Sequence, residues 1–258
     1  MIMKGRAISP GYAEGTAVTY PEAFSFLGGV DGSTGDLHVR DGNIAGRVFL
    51  FPNGKGSTVG SYVIYDLMVH GKAPLALVNR NAETIVTTGA VISSVPMVDG
   101  IDVSLFCDGD RVAVDGSRGY VELKGVELRH TVSSVLVCGG KVLYLKRPDH
   151  AHSFPGKISL VSGSVERGET PEEAARREIS EETGISVGFP DAAGEEILVR
   201  EGNTVWDVHP FLYRVASEDV KLNGENVSYK WAESGSIPEE ELVDGVGGIV
   251  GALLHKAV

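Results

Sequence analysis

The stretch GSVERGETPEEAARREISEETGI, Gly163 to Ile185, decides how the second half of this chain folds. Thr170 is a good helix N-cap, Pro171 suits the first helical position, and Glu173 stands where a capping box needs an acid. Gly184 is a natural left-handed stop after Thr183. Between these signals, Glu178, Glu181 and Glu182 are related by i, i+3 and i+4, so they share one helix face. Three carboxylates on one face repel one another, and a divalent cation relieves that repulsion. Oxygen-only ligands of this kind suit Mg²⁺ or Mn²⁺.

The same segment fills a longer pattern: Gly163, Glu169, then Arg177-Glu178-Ile179, Glu181-Glu182 and Gly184-Ile185. Filled at every fixed position, it resembles the Nudix box. The resemblance implies an α/β/α sandwich and a Mg²⁺-dependent hydrolase of a small-molecule diphosphate. It implies that Glu178, Glu181, Glu182 and a backbone carbonyl at Gly163 hold the metal. Catalysis is assigned to Glu181, with Glu225 as the general base on a later loop. Glu169 and Arg177 would pair behind the metal ligands and hold the loop against the helix. Trp206, His209 and Phe211 are expected to alternate along one strand facing a pocket. Arg147, His150, His152 and Lys157 precede the box, where a phosphate contact would be useful.

At 258 residues and 42% hydrophobic content the chain has room for two ordinary domains. The polar joint at Lys124 to Arg129 divides it into residues 1–125 and 128–258. A net charge of −12 argues against non-specific nucleic-acid binding, and no segment has the apolar length of a membrane span. Two cysteines, Cys107 and Cys138, make no disulfide framework and point to a cytoplasmic protein. They are too few to hold an iron–sulfur cluster unaided.

In the first half, Val48 to Phe51 reads as a strand. Gly54-Lys55-Gly56-Ser57-Thr58 follows as a loop, and Ser57 caps a helix running to about His70. Ala73 to Val78 reads as a strand, and a further short strand is expected around Val91 to Val98. Gly109 to Leu123 has the alternation of a hairpin turning at Asp115-Gly116. Glycines at Gly54 and Gly56 let backbone N–H groups approach an anion. The loop is not a P-loop, because Gly56 separates Lys55 from Ser57. A dinucleotide loop, with Arg80 on a 2′-phosphate, is the weaker alternative, since one such unit in this half is too small for that fold.

Lys4 to Ser9, Ser25 to Asp31, Ile44 to Val48, Gly54 to Tyr62 and Gly71 to Pro74 together resemble the small subunit of the aconitase X family. That likeness implies a swivelling β/β/α domain. It also implies a phosphomevalonate dehydratase role in isoprenoid biosynthesis, with Ser57 as the proton-abstracting base. The family's iron–sulfur cluster sits on a separate large subunit, which becomes the expected partner. The expectation is thus an α/β protein of two domains, a Nudix hydrolase fused to a dehydratase small subunit. A non-hydrolytic Nudix-type module regulating the dehydratase is the alternative. A phosphohistidine domain is disfavoured by the lack of histidine between Gly54 and Ser61.

Overall fold

The computed structural model describes residues 1–256 and separates into two compact units, Met1–Glu127 and Leu128–Val258. Among the described residues no helix is long and apolar enough to cross a membrane.

The first unit is built on one sheet. Its strands are β1 (Ile2–Lys4), β2 (Arg6–Ser9), β3 (Tyr12–Thr19), β4 (Val48–Phe51), β5 (Ala76–Asn79), β6 (Met97–Asp99), β7 (Arg111–Asp115) and β8 (Tyr120–Lys124). They lie in the order β1-β8-β7-β3-β4-β5-β6-β2. β3, β4, β5 and β6 are mutually parallel, while β7 and β8 form an antiparallel hairpin. Every residue of β4 and β5 is buried, as parallel strands covered on both faces require. A short irregular turn, α1 (Phe26–Gly29), carries Phe26 into a cluster with Phe24, Phe49 and Phe51. Their ring centroids lie 4.8 to 6.2 Å apart, mostly edge to face.

Two helices follow the parallel strands: α2 (Val59–Val69) and α3 (Thr84–Ile92). α3 corrects the expectation of a strand around Val91 to Val98; only Met97–Asp99 is extended. Its sequence, TIVTTGAVI, is rich in β-branched residues and reads locally as strand. Glu83 overrides that preference, because its side chain accepts hydrogen bonds from Ile85 N and Val86 N. Gly89 completes the case: a Cβ there would lie 2.5 Å from Ile64 Cδ1 and 3.0 Å from Ile64 Cβ. α3 therefore packs on α2 at a distance only glycine allows.

The second unit has a sheet ordered β11-β10-β9-β15-β13, with β12 beside β9, β14 beside β15 and β16 beside β10. The strands are β9 (Glu127–Cys138), β10 (Lys141–Lys146), β11 (Ile158–Ser159), β12 (Val161–Ser164), β13 (Ala192–Ala193), β14 (Ile197–Glu201), β15 (Thr204–Arg214) and β16 (Ser228–Ala232). Alternation along them feeds two cores. Val132, Leu136, Leu143, Leu145 and Tyr213 pack under α4 (Pro171–Thr183). Val135, Val142, Tyr144, Val208 and Leu212 pack with α5 (Val246–Lys256). The result is helix on both faces of one sheet. The described residues end in the short helix α5, preceded by a tighter turn. Residues Glu239–Glu241 form a 3₁₀ turn, and Gly245 at φ 88° resets the chain before α5 begins.

Replacing Gly89 by alanine gains helix propensity but forces Ile64 out of place. We expect Gly89→Ala to cost about 1–2 kcal/mol net, by overpacking the α2–α3 contact. Thermal denaturation of the full chain would read this as a lower first transition, and an unchanged or raised one would refute it.

Candidate functional sites

α4 starts as its sequence specifies. Thr170 Oγ1 accepts from Glu173 N at 3.3 Å, and Glu173 Oε2 accepts from Thr170 N at 2.8 Å. Gly184 ends the helix at φ 70°. Ala174, Ala175 and Ile179 are fully buried against the sheet, which fixes the rotation of α4. That rotation turns Glu178 and Glu182 inward, 9% and 3% exposed, while Glu181 keeps a half-exposed side chain.

Gly163 lies opposite Val132 in the β9–β12 pair. A Cβ there would fall 1.9 Å from the Glu178 carboxylate, so only glycine leaves room for it. The Gly163 carbonyl accepts from Thr131 Oγ1 at 2.7 Å. Glu182 accepts from Asn226 Nδ2 at 3.0 Å and from the Ser162 backbone N–H. Burial, with the negative charges of Glu178 and Glu225 nearby, pushes the Glu182 carboxyl up to about 8. Glu178 is raised too, by burial first, with Arg177 pulling the other way.

Arg177 ties the loop to the helix. Its guanidinium donates to Glu169 at 2.7 and 3.2 Å, to Glu178 at 2.7 Å, to Glu181 at 3.3 Å and to the Ser164 carbonyl at 2.9 Å. Glu169 is held below the usual carboxylate range by that contact. Glu225 is exposed, and Asn223 shapes its turn. Its charge is felt by both Glu178 and Glu182, so the loop Asn223–Asn226 borders the acidic set. Asn226 was missed by sequence reasoning; an asparagine after an acid on a loop carries no local signal of burial.

The residues fit a hard divalent cation. Two buried carboxylates with raised proton affinity, a glycine-only approach at Gly163 and an exposed third acid offer oxygen donors, with Arg177 acting on Glu178 and Arg147 on Glu182 as opposing cations.

A cavity of about 190 Å³ adjoins Gly163 and includes Thr131, Ser133, Arg147, Phe154 and Trp206 in its lining. The expected facing of β15 needs correction here. Trp206 lies on the α5 side with Val208, whereas Phe211 packs on the α4 side and His209 shares its parity. Residues an odd number apart on a strand point to opposite faces. Of the cations before the box, Arg147 lines the cavity and donates to the Ser153 carbonyl, while Lys157 donates to the Glu240 carbonyl.

In the first unit, α2 begins at Val59 and ends near His70, with Gly71 at φ 66°. Thr58 precedes α2 with φ −55° and ψ −19°, already helical, and makes no side-chain cap bond, so the capping side chain is Ser57, as expected. Ser57 is exposed, and its Oγ accepts from Val59 N at 3.3 Å. Gly56 sits at φ 101°, where a Cβ would meet Ser25 Oγ at 2.8 Å. Gly54 is buried beneath the Glu83 carboxylate, and Lys55 N donates to the Phe24 carbonyl. The open side of the loop is therefore Gly56, Ser57 and Thr58. Arg80, the 2′-phosphate contact of the dinucleotide alternative, is instead ion-paired with Asp102.

Comparison with known proteins adds the following. The family model "Aconitase X swivel domain" matches residues 2–123, and the model "NUDIX domain" matches residues 128–245. The phosphomevalonate dehydratase small subunit of Thermococcus onnurineus is 53% identical over 129 residues, which is 48% of this chain and 99% of that protein. The corresponding protein of Methanocella arvoryzae is 51% identical over 131 residues, covering 48% and 99%. Among solved structures, holo aconitase X of Thermococcus kodakaraensis aligns with a TM-score of 0.47 at 51% identity, over 48% of this chain and 98% of that one. The MutT protein of Methanosarcina mazei Go1 aligns at 0.46 and 22% identity, over 51% and 96%. The chain belongs to the aconitase X small-subunit family through its first half, and its second half is a NUDIX domain.

Proposed function

We propose that this chain is a Mg²⁺-dependent diphosphate hydrolase fused to the small subunit of a mevalonate-5-phosphate dehydratase-like enzyme. For the hydrolase, the single observation that carries the reading is the pair of buried carboxylates, Glu178 and Glu182, packed against glycine-only backbone at Gly163. Glu178, Glu181, Glu182 and the Gly163 carbonyl would hold the cation, Mg²⁺ or Mn²⁺. When bound, it supplies charge neutralisation at the phosphate oxygens. Glu169 and Arg177 keep the loop registered on α4. Glu225 takes a proton from water, and Arg147 at the cavity wall meets the substrate's negative charge. Two buried members in the acidic set do not favour the sensing-module alternative, which has no need to bury charge.

For the dehydratase, the supporting observation is the exposed loop Gly56-Ser57-Thr58 at the start of α2, beside an exposed apolar face. Val59, Tyr62, Tyr65 and Val69 are 45%, 69%, 43% and 59% exposed along one stretch of α2. A monomer gains nothing by leaving two tyrosines in water there, whereas a large subunit would cover them. That partner would carry the iron–sulfur cluster and would bring the cations that Ser57 needs to act as a base. Gly54, Lys55 and Gly56 form the anion-binding loop of this reading, with the open N–H groups toward its Ser57 end.

Glu182→Gln should abolish Mg²⁺-dependent release of phosphate or monophosphate from a panel of nucleotide, sugar and prenyl diphosphates, with a loss of at least a hundredfold. Full retained turnover would overturn the hydrolase reading.

The same variant should change stability with a defined sign. The folded Glu182 carboxyl binds its proton more tightly than the unfolded one. Its contribution is therefore complete below about 4.5 and is lost as pH rises through about 8. Each pKa unit is worth ~1.4 kcal/mol, so metal-free protein at pH 8.5 forfeits a few kcal/mol that Glu182→Gln keeps. We expect the variant's second unit to melt higher than wild type at pH 8.5 and to match it near pH 5, with Mg²⁺ closing the gap.

Ser57→Ala, reconstituted with an aconitase X-type large subunit, should lose dehydratase turnover by at least a hundredfold while still binding that subunit. Tyr62→Glu should instead prevent co-purification. Unchanged turnover in the first, or unchanged complex in the second, would refute that half.

A further inference from the structure

The second unit holds another set of metal-type donors that the Nudix motif does not use. His130 lies on β9; Asp207 and His209 lie on β15, its neighbour in the sheet. The three donor atoms all lie within 4.8 Å of one another, and no other such set of three occurs among the described residues. His130 Nδ1 is 3.0 Å from Asp207 Oδ2, and His209 Nε2 is 3.9 Å from the same oxygen. A tetrahedral ion with bonds near 2.0–2.1 Å holds its ligand atoms about 3.3 Å apart, so these separations bracket the required spacing.

The remaining nitrogen of the inner histidine is also accounted for. His209 Nδ1 is 3.3 Å from Glu196 Oε1. A proton on Nδ1 would be donated to Glu196, and the Nε2 lone pair would then face Asp207. Metal-binding histidines are oriented in this way by a carboxylate on their far nitrogen. Without a cation, a lone pair and a carboxylate oxygen would face each other, which is unfavourable. Asp207 and His209 are each 15% exposed at the side chain, while His130 is 54% exposed and closes the outer edge.

We propose that His130, Asp207 and His209, supported by Glu196, form a site for a late first-row divalent ion of the Zn²⁺ class. Two imidazoles with one carboxylate favour such ions over Mg²⁺, which prefers oxygen alone. Three protein ligands with an exposed edge leave a position for water or an added ligand. The site uses none of Glu178, Glu181 and Glu182 and does not depend on the hydrolase reading.

The test uses tag-free full-length chain, stripped with chelator and then held in excess Mg²⁺ to saturate the oxygen site. Calorimetric titration with ZnCl₂ should show one Zn²⁺ per chain. Co²⁺ in its place should give visible bands of the intensity expected for four- or five-coordination. His209→Ala and the exposed-site variant His130→Asn should each weaken Zn²⁺ at least tenfold, while Glu182→Gln keeps the wild-type affinity. His130→Asn guards against misfolding, because that side chain is largely in solvent. Absence of stoichiometric Zn²⁺ binding, undiminished binding in the two histidine variants, or loss in Glu182→Gln would each overturn the proposal.

Discussion

The second unit depends on one constraint: two glutamates must be buried beside each other on α4 without a permanent counter-charge for both. Arg177 reaches Glu178 but not Glu182, whose donors are the Ser162 N–H and the Asn226 amide. Two neutral donors do not repay the removal of a charge from water. The fold therefore tolerates Glu182 either as a protonated acid or beside a cation, and its raised proton affinity is the measure of that tension. The hydrophobic anchors Ala174, Ala175 and Ile179 impose the rotation that creates the problem. Core packing on one side of α4 is thus what poises the carboxylates on its other side.

The first unit solves a different problem. Its central parallel strands are wholly buried, so its helices must lie close, and the α2–α3 contact does so through Gly89 against Ile64. The phenylalanine cluster fills the space around α1, which fixes the chain leading to Gly54-Lys55-Gly56. The polar loop gets its shape from this packing: Phe24 bonds Asn53 and Lys55 through the backbone on either side of the buried Gly54. The exposed Ser57 is left at the rim, with its hydroxyl engaged only by Val59 N among the described contacts.

These two origins explain what was legible in the sequence. α4, its caps and its acidic face were readable because every signal lies within one local stretch, from Thr170 to Gly184. The hairpin after Asp115 was readable for the same reason, since a glycine of positive φ, Gly119, marks its turn. α3 was not, because the decisive terms are the Glu83 cap and a contact with Ile64 two elements away. Asn226 was invisible as a partner of Glu182, since nothing local tells a buried loop amide from an exposed one. The β15 side chains were misassigned to one face by counting residues without their parity, which the burial pattern settles.

The histidine cluster shows the same limit from the other side. His130 and His209 are far apart in sequence and meet only because β9 and β15 become neighbours. Nothing in spacing along the chain relates them. Their neighbourhood also differs in kind from that of α4. The acidic set offers oxygens alone, a donor chemistry that suits hard ions. The β9–β15 set offers two nitrogens and one oxygen, and Glu196 directs one ring. Ligand softness would keep two cations apart in one domain without either site needing to exclude the other sterically. An Mg²⁺-rich solution would leave the histidine set free, and traces of a softer ion would reach it first. The metal content of the chain would then depend on the donor chemistry of α4 and of the β9–β15 pair, more than on the affinity of either site alone.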